Sequence, residues 1–324
     1  MTVAFSDVLA AAARLRGVGR LTPVLSAAPI DRSASAQVFL KAENQQRTGS
    51  FKFRGAFNAV AAMADGNRDT DLCTVSSGNH GQALAAVGAM LRRSVTVYVP
   101  RDAPRPKYEA IVSYGATVKV FDRQTVAQEE ISSRLGRPGG PVYVSSHDDR
   151  QVIAGAGTMA LELFDSCDRL DAIVVPVGGG GGLAGAGVVA RAVAPRCRVI
   201  GVEPEASGAV SRSIRAGRRI HVPVPRTIAD GQTVTVPGRL NLRILRRVVD
   251  EVVAVNEAQI RQAVAFLYAR CGVIVEPSGA CGVAAVLAGR VAGRRIGVVL
   301  TGGNVDSLTL RGLLDQSANR PSVR

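Results

Sequence analysis

Five consecutive glycines, residues 178–182, restrict the fold of this chain more than any other feature of its sequence. A short apolar segment with strand composition, residues 174–177, precedes them, and an Ala- and Val-rich segment that can form a helix follows. A strand, a glycine loop and a helix in this order place free backbone N–H groups around an anion. The stretch therefore predicts an α/β fold with a phosphate-binding loop.

The same glycines leave the kind of phosphate ligand open. The pattern G-x-G-x-x-G is formed by Gly180, Gly182 and Gly185, and Glu203 follows eighteen residues after Gly185. That pattern is close to the dinucleotide fingerprint, in which an acidic residue binds the ribose. Five unbroken glycines also form a wide ring of approachable N–H groups, which suits a single phosphate monoester. A dehydrogenase and an enzyme with a singly phosphorylated cofactor are both open at this point.

Repeated strand and helix signals indicate the architecture. Apolar runs of strand length alternate with segments of helical length, such as residues 80–91 and 258–270. The predicted strands are "QVFLKAE", "LCTVS", "SVTVYVP", "ATVKVF", "PVYVSS", "AIVVPV", "RVIGVE", "EVVAVN" and "RIGVVLTGG". Repeated units of this kind predict parallel sheets covered by helices. We expect a small domain at residues 70–147 and a large domain formed by residues 1–69 and 148–324.

The charge of the chain does not indicate a nucleic-acid partner. The net charge is +14, but the arginines that carry most of it are scattered, and aromatic residues make up only 4% of the chain. Nucleic-acid binding favours a basic stripe with interleaved aromatic side chains. We therefore expect a small-molecule substrate and no nucleic acid, and the positive field can steer an anionic substrate.

Cysteine usage and apolar runs restrict the compartment. Five cysteines are spread along the chain without a C-x-x-C pair, which disfavours a zinc site or a disulfide framework and fits a reducing cytoplasm. The N-terminal segment has the pattern of an amphipathic helix rather than of a signal peptide. No apolar run has the length of a membrane span. We expect a cytoplasmic protein with no membrane partner.

A lysine in the stretch "NQQRTGSFKFRGAF" is a candidate nucleophile. Lysine occurs only four times in the chain, and Lys52 lies between Phe51 and Phe53. Apolar neighbours desolvate an amine and lower its pKa, which a nucleophile or base needs near neutral pH. A Schiff-base lysine is the functional interpretation. A solvated charge at the start of a helix that Ser50 caps is the structural one.

Three polar turns supply further candidates. "TVSSGNHGQALAA" takes a strand into a polar turn and an Ala-rich helix, whose first N–H groups can bind a carboxylate. "VVLTGGNVD" and "VEPSGACGVAA" are turns of the same kind and contain Thr301 and Glu276. Each turn alone is also typical of an ordinary cap. Together they predict a ligand site where strands end and loops begin.

The ordered set of these motifs resembles one enzyme family. The strings "SFKFRGA", "SSGNHGQALA", "VIAGAGT", "VPVGGGGGLAG", "TIADG", "EPSGA" and "TGGN" resemble the motifs of serine/threonine dehydratases and serine racemases, in the same order. These are pyridoxal-phosphate enzymes of the tryptophan-synthase-β fold (fold type II). The resemblance extends from about residue 40 to residue 306. It implies a two-domain α/β fold with parallel-rich sheets covered by helices, pyridoxal 5'-phosphate as cofactor, and a homodimer.

The resemblance also implies how the cofactor is held. Lys52 forms the Schiff base, Phe51 packs against the ring, Asn79 hydrogen-bonds the ring hydroxyl and Thr301 faces the pyridine nitrogen. The phosphate is bound by Gly178, Gly179, Gly180, Gly181 and Gly182. The remaining residues implied near the cofactor are Gly231 and Glu276.

The substrate side of the site is implied in the same way. The residues that frame the substrate carboxylate are Ser76, Ser77, Asn79 and His80. The implied reaction is α,β-elimination, in which Lys52 removes the α-proton and L-threonine, L-serine or a related β-hydroxy amino acid becomes a 2-oxo acid and ammonia. Ser77 matches the acid/base hydroxyl of the racemases, so an amino-acid racemase is the alternative, as is a β-replacement enzyme of the same fold.

The cation site of the family and two histidines remain to be interpreted. Racemases and some dehydratases bind a divalent cation through a Glu that Glu203 matches, but Ala209 stands where a second acid is needed. A hard cation prefers several oxygen ligands, so we expect no metal unless another acid substitutes. His147 either faces the substrate or belongs to a surface loop, and His221, in a Pro-rich loop, is interpreted as structural.

Overall fold

Two β-sheets organise the computed structural model, which describes residues 2–63, 70–126, 128–136 and 139–318. The larger sheet contains β1 Val24–Ser26, β2 Gln37–Lys41, β7 Ala172–Pro176, β8 Arg198–Pro204, β9 Glu251–Val255 and β10 Arg295–Val299. Their order is β1-β2-β10-β7-β8-β9. Every neighbouring pair is parallel except β1 with β2.

The smaller sheet lies in one continuous part of the chain. It contains β3 Leu72–Val75, β4 Val95–Pro100, β5 Thr117–Phe121 and β6 Val142–Tyr143. Their order is β5-β4-β3-β6, and all neighbouring pairs are parallel. These strands fall inside the stretch assigned above to a small domain; the domain boundaries themselves stay a prediction.

Helices cover both sheets. Those before β7 are α1 Phe5–Leu15, α2 Ala28–Ala34, α3 Lys52–Ala61, α4 Asn79–Met90, α5 Arg105–Ser113, α6 Gln128–Arg134 and α7 Arg150–Asp165. Those after β7 are α8 Gly181–Val193, α9 Ala209–Ala216, α10 Arg239–Val248, α11 Glu257–Cys271, α12 Pro277–Leu287 and α13 Ser307–Ala318. The predicted fold class, parallel-rich sheets covered by helices, is confirmed.

Burial explains why the strand signals are continuous apolar runs. Every residue of β3 and of β7 is buried, because helices cover both faces of these central parallel strands. All nine predicted strands are present. The prediction missed β1, because three residues do not form a recognisable pattern.

The carboxyl ends of the strands position the loops that carry the motifs. The loop after β3 leads into α4, the loop after β7 contains the glycine run, and the loop after β10 contains Thr301. An isolated bridge between Ser50 and Gly302 brings the segment before α3 to the loop after β10. Loops at strand ends are where ligands gather in folds of this class.

No helix in the described residues combines the length and the apolar character needed to cross a bilayer. The five cysteines are free, and four of them are buried. Burial raises the pKa of the Cys281 thiol, which therefore stays protonated.

Candidate active site

The predicted site residues surround one cavity of about 580 Å³. The predicted residues that line it are Phe51, Lys52, Ser76, Ser77, Asn79, His80, Gly178, Gly179, Gly180, Gly181, Gly182, Gly231, Glu276 and Thr301. They come from segments that are far apart in the sequence, and the strand ends bring them together. The roles assigned to them stay predictions.

The glycine loop has a geometry that only glycine allows. Gly180 has φ +103°, in the left-handed region that disfavours side chains. A Cβ atom added to Gly181 would lie 2.7 Å from the backbone oxygen of His147, and one added to Gly179 would lie 2.3 Å from the His147 ring. The backbone N–H groups of residues 178–182 have no acceptor in the described parts of the chain. The loop therefore fits an anionic phosphate, which accepts several N–H donors at once.

Lys52 begins α3 and points toward the loop that contains Ser146. Its Nζ donates to the Ser146 carbonyl at 2.7 Å and lies 5.3 Å from the centroid of the Phe51 ring. Burial lowers the pKa of Lys52 to about 8, although the negative charge of Glu276 opposes the shift. Lys52 is half-buried, and this lowered pKa favours the desolvated lysine expected from the sequence over a solvated charge.

The two serines in the turn before α4, Ser76 and Ser77, differ in their contacts. Ser76 Oγ accepts from the backbone N–H groups of Gly78 and Gly81, at 3.2 and 3.0 Å, so Ser76 acts as a cap. The Ser77 hydroxyl faces the cavity and has no hydrogen-bond partner among the described residues. Free N–H groups at the start of α4 fit a carboxylate there.

His80 and His147 are both held neutral. Burial lowers the pKa of His80 to about 3, and the charge of Lys52 lowers it further. Its Nε2 lies 3.2 Å from the Val144 carbonyl, which accepts a hydrogen bond, so the tautomer with the proton on Nε2 is assigned. Burial also lowers the pKa of His147. Of its two interpretations, the position on the cavity wall favours the one that faces the substrate.

A buried ion cluster under the cavity was missed by sequence reasoning. Lys107 Nζ lies 2.8 Å from a Glu276 oxygen and 2.6 Å from an Asp230 oxygen. Asn79 Nδ2 donates to the other Glu276 oxygen at 2.5 Å, and Asn304 donates to Asn79 Oδ1 at 2.9 Å. The cluster fixes the Asn79 amide. Lysine is rare in this chain, and the signal that indicated Lys52 could also have indicated Lys107. A lysine that becomes buried needs a partner for its charge.

The structure also shows the surroundings of His221 and Glu203, whose roles the sequence left to interpretation. His221 lines the cavity with 63% of its side chain exposed, and its structural interpretation stays a prediction. Glu203 accepts from the backbone N–H groups of Val210 and Ser211 at 3.2 Å, so its carboxylate caps the start of α9. The described residues contain no group of three metal-ligating side chains.

The fold is of the α/β class, and its glycine loop and Lys52 line the same cavity. Comparison with known sequences agrees: residues 15–302 match the family described as pyridoxal-phosphate dependent enzymes. The chain belongs to this family, is a pyridoxal-phosphate-dependent enzyme, and has the fold of type II members.

Relatives of the chain cover nearly its full length. An L-threo-3-hydroxyaspartate ammonia-lyase from Pseudomonas sp is 41% identical over 304 residues, 93% of this chain and 95% of the relative. An enzyme of the same name from Saccharomyces cerevisiae is 37% identical over 98% of both chains. The solved structure of maize serine racemase is 32% identical, covers 98% of both chains and superimposes with a TM-score of 0.91.

Proposed function

We propose that this chain is an ammonia-lyase that converts a β-hydroxy amino acid to a 2-oxo acid and ammonia. The observation that carries the proposal is the position of Lys52, a desolvated amine on the wall of the cavity that holds the glycine loop. L-threonine, L-serine and 3-hydroxyaspartate are the candidate substrates. The two relatives described above, both 3-hydroxyaspartate ammonia-lyases, favour L-threo-3-hydroxyaspartate.

The proposed roles follow from the placement of the side chains. Pyridoxal phosphate supplies an electron sink for the pair of electrons left on the substrate Cα. Lys52 Nζ takes the proton from Cα, because its lowered pKa leaves part of the amine neutral near pH 7. The N–H groups at the start of α4 bind the substrate carboxylate. Asn79 and Phe51, which both line the cavity, would hold the ring.

Thr301 favours elimination over transamination in this proposal. It lines the cavity and is buried, and its hydroxyl is neutral, so it supplies no negative charge to hold a proton on the ring nitrogen. A ring without that proton would withdraw electrons less, which would favour loss of the β-hydroxyl over transamination. The β-hydroxyl takes up a proton and leaves as water, and the enamine that remains tautomerises to an imine, which water hydrolyses to the 2-oxo acid and ammonia.

A racemase is the second candidate, and one observation favours it. Ser77 lines the cavity, and its hydroxyl has no partner among the described residues, which leaves it available as a second acid or base beside Lys52. Two bases on opposite faces are what exchange of the α-proton with inversion requires. The similarity to maize serine racemase points the same way.

A substrate panel tests the proposal. The holoenzyme is incubated with L-threo-3-hydroxyaspartate, L-serine and L-threonine, and 2-oxo acid, ammonia and the D-enantiomer are measured. We expect ammonia and 2-oxo acid in equal amounts, fastest with 3-hydroxyaspartate, and none with Lys52→Ala. Absence of ammonia from all three substrates would overturn the lyase proposal. D-serine formed faster than ammonia, and abolished by Ser77→Ala, would establish the racemase instead.

A further inference from the structure

The carbonyl of Gly179 is held by two donors at the start of α10. Asn241 Nδ2 donates to it at 2.9 Å, and the backbone N–H of Gly238 donates at 3.1 Å. The peptide bonds of the described chain are all trans. In a trans peptide the carbonyl and the following N–H point in opposite directions. Holding the Gly179 carbonyl toward α10 therefore turns the Gly180 N–H away from α10.

Asn241 also connects the glycine loop to the segment that contacts Lys52. Its Nδ2 donates a second hydrogen bond to the His147 carbonyl at 2.9 Å, and the preceding carbonyl, that of Ser146, accepts from Lys52. Both acceptors of Nδ2 are carbonyls, so the amide has one orientation, because a flipped amide would place its oxygen against two oxygens. Asn241 is fully buried, and its Oδ1 is a buried atom without a donor among the described residues.

The start of α10 is held in place by an independent contact. The Asp148 carboxylate accepts from the backbone N–H groups of Arg239, Leu240 and Asn241 at 2.8, 2.9 and 3.1 Å. These are N–H groups that a helix leaves unpaired at its first turn. The backbone of Asn241 is therefore anchored to the same loop, residues 147–148, that its side chain contacts. The side chain has little freedom to follow a displaced glycine loop.

We propose that Asn241 is a positioning residue for the cofactor phosphate, because it sets the direction of the Gly180 N–H donor and ties the glycine loop to the Lys52 segment. Asn241 does not line the cavity and acts only through the loop. The inference rests on the proposal that residues 178–182 bind the phosphate. It predicts that loss of the Asn241 side chain weakens the binding of pyridoxal phosphate but not the binding of pyridoxal, which lacks the phosphate.

The test compares two ligands that differ only in the phosphate. Apoenzyme is titrated with pyridoxal phosphate and with pyridoxal, and each Kd is obtained from the absorbance of the bound form. We expect Asn241→Ala to raise the Kd for pyridoxal phosphate at least tenfold and to change the Kd for pyridoxal less than twofold. Asn241→Ser keeps one donor in a smaller side chain and should give an intermediate Kd for pyridoxal phosphate. This variant replaces Asn241→Ala in the test if Asn241→Ala does not fold.

A matched control separates positioning from general loss of stability. Asn256 caps α11 by accepting from Gln259 N–H at 2.9 Å and does not line the cavity. Asn256→Ala should lower stability with no change in either Kd. A Kd for pyridoxal phosphate within twofold of the wild type in Asn241→Ala, or an equal weakening of both ligands, would overturn the inference.

The glycine loop itself is tested separately. Gly180→Ala forces a side chain into a left-handed backbone position and should weaken pyridoxal phosphate but not pyridoxal. If Gly180→Ala has this effect and Asn241→Ala does not, only the role of Asn241 fails. If neither variant discriminates between the ligands, the proposed phosphate site fails as well.

Discussion

Single residues in this site owe their chemistry to burial. Lys52 and His80 both have lowered pKa values, because burial penalises the charged form of an amine and of an imidazole. The two Phe neighbours of Lys52 made the first shift predictable from sequence. The shift of His80 was not, because its burial and the nearby charge of Lys52 arise only from tertiary packing.

The pH dependence of cofactor capture tests the Lys52 environment. Only the neutral amine attacks an aldehyde, and a pKa of about 8 means that the neutral fraction grows as the pH rises through that value. We expect the rate at which apoenzyme takes up pyridoxal phosphate to rise about tenfold per pH unit well below pH 8 and to level off above it. Stopped-flow absorbance measures this rate. A rate that still rises steeply above pH 9 would contradict the lowered pKa.

Removal of the positive charge of Lys107 should lower the stability of the protein. Lys107 has 4% of its side chain exposed and forms ion pairs with both Glu276 and Asp230. Lys107→Met leaves two carboxylates close together and one of them buried, so we expect the free energy of unfolding to fall by about 3 kcal/mol. Urea denaturation measures the change. Lys119→Met, at an exposed lysine, is the control and should change stability by less than about 0.5 kcal/mol.

Helix packing behind the site depends on glycine at close crossings. A Cβ atom on Gly155 of α7 would lie 2.5 Å from the Arg54 carbonyl of α3, and one on Gly185 of α8 would lie 2.5 Å from the Ile153 carbonyl. Backbones at this distance leave no space for a side chain. The alternation of Ala and Gly in "VIAGAGT" and "GLAGAG" is thus a packing signal as well as part of the family motifs.

Substitution of these glycines tests the packing argument. Gly155→Ala places a methyl group against the backbone of α3, and we expect it to lower the free energy of unfolding by about 1–3 kcal/mol. Gly312→Ala, in α13 with no atom within 4 Å of the added Cβ, should raise it by up to about 1 kcal/mol. Thermal denaturation of the two variants measures both. Equal effects would show that helix propensity, not crowding, governs position 155.

Secondary-structure elements were the most predictable level of this fold. Central strands such as β7 and β8 are short apolar runs between helical segments, and both faces are buried, so their pattern is strong. The short β1 carries no such pattern, and its pairing with β2 is decided by the antiparallel contact of Leu25 with Leu40. Local sequence does not encode which strand lies at the edge of a sheet.

At the scale of the whole molecule, the net charge of the chain affects its oligomeric state. The net charge of +14 is far from zero and opposes self-association at low salt. The homodimer implied by the family resemblance therefore has to overcome repulsion between like-charged subunits. The cytoplasmic location and the two-domain division also stay proposals at this scale.

Light scattering tests the assembly directly. We expect a mass of twice the 33.7 kDa of the chain at physiological salt, with dissociation favoured as salt is lowered. Chromatography with in-line scattering at several protein concentrations measures this. A mass of one chain at every salt and protein concentration would exclude the dimer.

The sequence by itself determined the alternation of strands and helices, the fold class and the part of the cavity lining that lies in the family motifs. These follow from local signals, namely apolar period, glycine turns and motifs in a fixed order. Only the tertiary structure revealed the ion cluster of Lys107, Glu276 and Asp230, and the contact of Asn241 with the glycine loop. The physical reason is distance along the chain: 46 residues separate Asp230 from Glu276 and 62 separate Gly179 from Asn241, so only folding defines these contacts.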